Sequence, residues 1–400
     1  MGTLQLKGVR KTYGETVAVD DIDLEVGDGE FFVILGPSGA GKTTTLKSIA
    51  GLVDIDAGEV SISGTDMTGV EPYHRNVAMA FESYALYPQK TVSENLASPL
   101  KSGRSGSFSE ADQKKRIDTV TTTLGINHLL GRLPKELSNG QRQRTALGRV
   151  LVRPADIYLL DEPLSHLDAK LRASMRAELK TIAQTSSTTT VYVTHDYQEA
   201  LALGDRIAVL RKGRFVQIGT PEEMWRTPVD TFVARSLGQP EMNLLPAVVQ
   251  NGEIRLAGGG ASFPVPQGLD VSDGQRVQLG LRPSEIEVDR GHRGEAGDWL
   301  RMSGTVLLAE RLGRHVELDI TLDGQDHDGR LIVVEDSDHA PDEGGQVTVQ
   351  IHLPNVHVFA AEGPDDETDP PRLGSALGRQ SAADRPADRP ADRPAQEARQ

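Results

Sequence analysis

The stretch Gly36-Pro37-Ser38-Gly39-Ala40-Gly41-Lys42-Thr43-Thr44 constrains this chain more than any other. It follows the apolar run Phe31 to Leu35 and precedes a helix-like segment from Thr44 to Gly51. A glycine-rich turn between a strand and a helix can wrap consecutive backbone N–H groups round an anion at the helix N-terminus. Lys42 then reaches the outer phosphates and Thr43 offers a hydroxyl to Mg²⁺, so the stretch reads as a P-loop and the chain as a nucleotide binder.

The 400 residues give length for two or three ordinary domains, each with a substantial core. A net charge of −15 and 4% aromatic residues argue against a groove that holds polyanions or stacks bases, so nucleic acid is not an expected partner. The lack of cysteine excludes a disulfide framework and cysteine-ligated zinc, and suits a reducing cytoplasm. Met1 to Lys11 has no signal-peptide core, and no apolar run reaches about 18 residues. The chain is therefore expected neither to span a membrane nor to leave the cell.

Ahead of the P-loop, Leu4 to Val9 and Thr16 to Leu24 read as strands, with Tyr13 between them offering an aromatic face that suits stacking on a base. After it, Gly58 to Gly64 and Asn76 to Glu82 read as strands, and the pattern from Val92 to Gly131 becomes helical, marking an inserted subdomain at about 88–155. Ser138 opens a further helix as an N-cap. The apolar run Asp156 to Leu160 delivers Asp161 and Glu162 to a strand end, where two carboxylates are costly unless used. In a P-loop protein their natural uses are Mg²⁺ for Asp161 and an attacking water for Glu162. The strand Thr189 to Val193 ends in Thr194-His195-Asp196, on the carboxyl edge where ligands of α/β sheets collect.

Tyr13, the P-loop, Glu82-Ser83-Tyr84-Ala85-Leu86-Tyr87-Pro88, Leu137-Ser138-Asn139-Gly140-Gln141, Leu159 to Glu162 and His195 stand in one order and spacing. Together they resemble the ATP-binding subunit of an ABC transporter, over residues 3 to about 235, and within that family the importers of the maltose and glycerol-phosphate type. The resemblance implies a head-to-tail pair of ATPase chains, identical or paralogous, with ATP held between one subunit's P-loop and the other's signature. Tyr13 would stack on adenine. Gly36, Ser38, Gly39, Gly41, Lys42, Thr43 and Thr44 would cradle phosphates, and Ser138, Gly140 and Gln141 would close on the partner's nucleotide. Thr43, Glu82 and Asp161 would serve Mg²⁺. Lys42, Glu162, His195 and Asp168 would serve hydrolysis: Glu162 polarising water, His195 holding it with the γ-phosphate, and Asp168 communicating across the interface. Two membrane permeases would dock near Glu82 to Pro88 and the helical insertion, with a periplasmic or lipid-anchored solute-binding protein acting indirectly, and the chain would lie on the cytoplasmic face of the membrane.

Two residues depart from the family pattern. Glu82 stands where glutamine is usual, keeping an oxygen ligand but adding charge, and Asn139 replaces the first glycine of the signature. Asparagine tolerates turn-like backbone, so the signature loop is expected to keep its shape. Two tolerated variants, or a subunit paired with a different ATPase at unequal sites, both follow from these changes.

Beyond Ser236 the helical pattern gives way to short alternating segments: Ala247 to Gln250, Ile254 to Leu256, Val277 to Leu281, Gly304 to Leu308, His315 to Leu322, Leu331 to Val334 and Val347 to Leu353. They predict an all-β domain over 236–361, a small barrel, and resemble the OB-like (TOBE-type) C-terminal domain of sugar-importer ATPases. From 362 the acidic, proline-rich sequence and the recurring Ala-Asp-Arg-Pro predict a disordered tail. The expected whole is an α/β P-loop ATPase domain at 1–235 with a helical subdomain, then the β domain and the tail. The expected function is ATP-driven import of a sugar, polyol or glycerol-phosphate. The alternatives are import of a polyamine, metal or oxyanion, or a soluble ABC ATPase outside transport.

Overall fold

The computed structural model describes residues 2–81, 86–101, 108–165, 167–186, 188–258, 260–291, 299–324, 329–364 and 368–376, with 183–186 and 339 through their backbone. The chain divides into two compact units, residues 1–224 and 225–400.

In the first unit, β1 (Leu4–Tyr13) and β2 (Thr16–Val26) form an antiparallel hairpin whose alternating residues Leu4, Leu6, Ile22 and Leu24 are buried. β3 (Phe31–Leu35) is buried at every position, as a central strand covered on both faces must be. It runs into the P-loop and α1 (Lys42–Ala50), which ends at Gly51 with φ 73°. The Leu52 and Gly51 amides close back on Lys47 and Ser48 carbonyls, a left-handed cap that glycine favours. Buried Arg75 completes that end by donating to the Ser48 and Ile49 carbonyls, 3.0 Å each. β4 (Ala57–Ile62) and β5 (Thr65–Asp66) extend the first sheet in the order β2-β1-β4-β5.

The second sheet begins with β3 and β6 (Val77–Ala80). Between β6 and β7 (Ile157–Asp161) the chain inserts α2 (Val92–Ala97), α3 (Glu110–Thr123) and α4 (Asn139–Leu151), the expected helical subdomain. Then come α5 (Ala169–Ser186), β8 (Thr189–Thr194), α6 (Tyr197–Leu203), the hairpin of β9 (Arg206–Arg211) and β10 (Arg214–Gly219), and α7 (Pro221–Arg226). The sheet order is β10-β9-β3-β8-β7-β6, with all but β10 running parallel. In register, Leu35 lies beside Thr194 and Asp161 beside Val193. Three strands thus deliver the P-loop, Glu162 and His195 to one carboxyl edge.

The second unit carries α8 (Thr231–Ser236) and two sheets. The first contains β11 (Asn243–Gln250), β12 (Glu253–Leu256), β13 (Ser262–Pro264) and β14 (Arg276–Leu281). The second is built from β15 (Ile286–Val288), β16 (Trp299–Leu312), β17 (His315–Leu322), β18 (Arg330–Asp336) and β19 (Gln346–His352). Finally β20 (His357–Ala360) and β21 (Arg372–Ser375) return to the first sheet, giving β13-β12-β11-β14-β20-β21 beside β15-β19-β16-β17-β18. Their inner faces share one apolar core. Asn243 joins them, donating to the Leu281 and Ile332 carbonyls and accepting from the Ile332 amide.

Two expected boundaries shift. The break placed at 235/236 falls at 224/225, because fully buried Arg282 gathers the carbonyls of Trp225, Ala234 and Leu237 into the β unit. The tail expected to be disordered from 362 instead carries β21, paired with β20 and burying Ala376. Residues 377–400, which hold the Ala-Asp-Arg-Pro recurrences, lie outside the described residues.

Candidate active site

Gly36 and Gly41 are glycine for spatial reasons. A Cβ on Gly36 would lie 2.5 Å from the Leu210 carbonyl oxygen, and one on Gly41, where φ is 108°, would lie 2.2 Å from the Ala18 oxygen. The loop is held in that crowded place by the Gly213 amide donating to the Ala40 carbonyl, 2.9 Å. Gly41 also begins α1 without a side-chain cap or an acidic residue in its first turn, leaving the helix N-terminus to an anionic ligand. Ser38 and Gly39 are exposed and Thr44 is half-buried along the same rim.

The charged groups converge behind that rim. Lys42, buried, donates from Nζ to the Gly36 and Pro37 carbonyls, 2.9 and 3.1 Å, and pairs with Glu162 Oε1 at 3.3 Å. Glu162 has φ 43°, a left-handed turn rare for a side-chain-bearing residue, directly after β7. The turn lets its other oxygen, Oε2, meet His195 Nδ1 at 2.8 Å. Thr43 Oγ1 donates to Asp161 Oδ1 at 3.0 Å, and Asp161 is buried. A hydroxyl beside a buried carboxylate suits a hard cation that takes oxygen ligands and completes its shell with water and phosphate. Among the described residues, no group of three or more His, Cys, Asp or Glu is assembled for a metal. Glu82, the third expected Mg²⁺ ligand, lies outside the described residues, as do Ser83 to Ala85.

Tyr13 stands at the end of β1, 49% exposed, with Lys11 Nζ 5.5 Å from its ring centre. The two residues before it are pinned by Asp56, which belongs to no sequence motif. Its carboxylate accepts from Lys11 Nζ at 2.9 Å, from the Thr12 amide at 2.6 Å and from the Thr12 hydroxyl at 2.7 Å. The Thr12 hydroxyl, Lys11 and the Thr12 amide hold the Asp56 carboxyl down at about 2.

The signature residues form a separate group. Ser138 and Gln141 make a capping box at the start of α4, the Gln141 amide donating to Ser138 Oγ and the Ser138 amide to Gln141 Oε1. Their hydrogen bonds stay within that helix end, apart from Lys42 and Thr43. Gly140 lies under Leu167 and Leu171, where a Cβ would come within 3.2 and 3.1 Å of their methyl groups. Asn139 is the first residue of α4, exposed and outside the left-handed region. The backbone there is ordinary helix, so its tolerance owes nothing to a turn-like conformation. Gln143 links the group to the β7 end by donating to the Pro163 carbonyl, 2.5 Å. Asp168 accepts the Leu171 amide at 2.9 Å and so caps α5.

Below His195 lies a cluster invisible in the sequence. Glu199, buried, receives hydroxyl hydrogen bonds from Tyr192 at 2.8 Å and Thr194 at 2.7 Å. Burial pushes its carboxyl up against the opposing pull of those donors. Arg172 bridges from α5 to Asp196 and Glu199. Its spacing from Asp168 is helical, but nothing local places Asp196 beside it.

The family model for ABC transporters matches residues 19–165. Models for the CysA C-terminal regulatory domain and the TOBE domain match 243–288 and 279–359. The maltose/maltodextrin import ATP-binding protein MalK of Vibrio cholerae is 39% identical over 372 residues, 91% of this chain and 96% of the relative. The xylose/arabinose import ATP-binding protein XacJ of Haloferax volcanii is 40% identical over 366 residues, covering 90% and 94%. The sn-glycerol-3-phosphate import ATP-binding protein UgpC of Chromobacterium violaceum is 40% identical over 365 residues, covering 90% and 95%. The solved dimer of the ATP-binding cassette MJ0796 with ADP and Pi matches with TM-score 0.51 and 31% identity, over 55% of this chain and 98% of the cassette.

Proposed function

Because the chain belongs to the ABC transporter family, as one of the ATP-binding proteins of import systems, we propose that it drives uptake of a sugar, polyol or glycerol-phosphate by hydrolysing ATP at the carboxyl edge of its parallel sheet. It binds ATP and is an ATPase that works with membrane permeases. The cargo class follows from the names of its relatives, which import maltodextrin, xylose or arabinose, and glycerol-3-phosphate.

Support for the chemistry comes from one convergence: Lys42, Thr43 with Asp161, and Glu162 with His195 meet within hydrogen-bond reach at the ends of three adjacent strands. Thr43 and Asp161 would hold Mg²⁺, with Glu82 as a further oxygen. An ion held there would supply positive charge against the phosphates. Lys42 exchanges its contacts with Glu162 and the loop carbonyls for phosphate oxygens. That exchange frees Glu162 to accept a proton from the attacking water, while His195 holds the water and the γ-phosphate in line. Tyr13 stacks on adenine. Ser138, Gly140 and Gln141, apart from Lys42 in their own chain, serve the nucleotide of a second ATPase chain, and Asp168 answers across that interface.

No described helix is long and apolar enough to cross a membrane, and the chain docks from the cytoplasmic face on two permeases through Glu82 to Pro88 and the helical subdomain. A solute-binding protein delivers cargo from the other side. Asn139 is exposed in ordinary helix, where glycine is not required, and this favours tolerated substitution in a pair of identical chains over unequal sites.

The test is Glu162→Gln, in the purified chain and in cells. Phosphate release should fall about 10²- to 10⁴-fold, as expected for loss of a general base, with ATP binding retained. Cells should lose uptake of one labelled carbohydrate or glycerol-phosphate. Full hydrolysis by the variant would overturn the role of Glu162, and loss of polyamine, metal or oxyanion uptake with every carbohydrate unaffected would overturn the cargo.

A further inference from the structure

We infer that Arg172 is a positioning residue that clasps the peptide carrying Asp168 to the peptide carrying His195, so that the two catalytic loops keep one fixed relation during hydrolysis. The inference rests on the roles proposed above for Glu162 and His195.

Arg172 lies one turn into α5, its amide donating to the Asp168 carbonyl at 2.8 Å. Its guanidinium then folds back over its own helix start. Nη2 donates to the Leu167 carbonyl at 3.2 Å, immediately before Asp168, while Nη1 reaches Asp196 Oδ2 at 3.2 Å, immediately after His195. The Nε edge faces Glu199 Oε1 at 3.9 Å. One planar fork therefore grips a carbonyl from one loop and a carboxylate from another, which an ammonium cannot do with the same directionality.

The His195 side of the clasp is itself fixed. Asp196 Oδ1 caps α6 through the Gln198 and Glu199 amides, 2.8 and 3.3 Å. The Asp196 amide donates to Thr194 Oγ1 at 3.0 Å, and Thr194 Oγ1 donates in turn to Glu199. Both neighbours of His195 are thus tied down, while its ring is 55% exposed and reaches Glu162. The space enclosed among Glu162, Arg172, His195 and Asp196 is about 10 Å³, no more than about one water. The link between the two loops therefore runs through the Arg172 contacts to Leu167 and Asp196. Misplacing a reacting group by about 1 Å can cost about 100-fold in rate, so a clasp between these loops bears on turnover more than on nucleotide affinity.

The experiment uses the full chain and Mg·ATP, with kcat and KM from phosphate release and unfolding temperatures recorded for each variant. Arg172→Lys should lower kcat about tenfold or more and leave KM within about twofold. Asp196→Asn keeps a capping oxygen for α6 but loses the ion pair, and should lower kcat in the same way. The double variant should be no slower than the worse single one, because both remove one link. Near-parental kcat in both singles, or losses that multiply in the double, would overturn the clasp. If Arg172→Lys does not fold, Asp196→Asn decides alone by the same split between kcat and KM. Glu162→Gln is measured alongside: if it hydrolyses ATP at the parental rate while the Arg172 and Asp196 losses coincide, the clasp stands and the role of Glu162 falls.

Discussion

At the scale of single residues, the site depends on carboxylates whose surroundings assign them different tasks. Glu162 is held between Lys42 and His195, Asp161 sits against Thr43, and Asp56 is spent on hydrogen bonds to Lys11 and Thr12. Asp56 orders the two residues ahead of an exposed Tyr13, so its effect belongs to binding and not to chemistry. Asp56→Asn is expected to raise KM for ATP about three- to tenfold with kcat within about twofold, the pattern of lost ground-state binding. Steady-state kinetics check it, and an unchanged KM would mean that Tyr13 is ordered without Asp56. The convergence of Lys42, Thr43, Asp161, Glu162 and His195 was legible in the sequence, because each sits at a strand end or in a glycine-rich turn. Asp56 was not legible, since it lies 44 residues from Thr12 and meets it only through the β1–β4 pairing.

At the scale of elements, helix ends do much of the positioning. The Ser138–Gln141 box fixes the start of α4, Asp168 the start of α5 and Asp196 the start of α6. Ser138→Ala removes one half of a capping box and should cost about 1 kcal/mol in chemical denaturation. Asn139→Gly restores the usual signature residue at an exposed helical position. It should leave hydrolysis unchanged and lower stability by no more than about 1 kcal/mol, the helix-propensity difference. A marked gain in ATPase rate would instead show that Asn139 limits the signature.

At the scale of the whole molecule, the β unit is organised round two buried cationic or titratable side chains, Arg282 and His357. Burial, then the charges of Arg282 and Arg372, push His357 down to about 3. It is therefore neutral in the fold, as its place opposite the Arg372 Nε donor at 3.4 Å also requires. Above pH about 6.5 the imidazole is neutral in both folded and unfolded chains and stability is full. As pH falls from there toward 3 only the unfolded chain takes up the proton, so stability is progressively lost, on the order of 1 kcal/mol per pH unit. Both tryptophans of the sequence, Trp225 and Trp299, lie in this unit, so their fluorescence reports its unfolding. The midpoint temperature should fall between pH 7 and pH 5, and His357→Gln should flatten that fall.

The sequence by itself determined the P-loop, the strand ends that carry Glu162 and His195, and the Ser138 helix cap, because each is a pattern of neighbours whose backbone chemistry is local. It also set out the alternating strands of the β unit, though not their number. The tertiary structure decided what depends on distant partners: Asp56 on Lys11 and Thr12, Arg172 between the Asp168 and His195 loops, Gln143 on Pro163, and Arg282 drawing α8 into the β unit. It decided β21 as well, a short segment with little apolar content that becomes a strand only because β20 offers a free edge and Leu269 lies against Gly374. Such contacts join residues far apart in the chain, and only the packing of sheets and helices determines which of them meet.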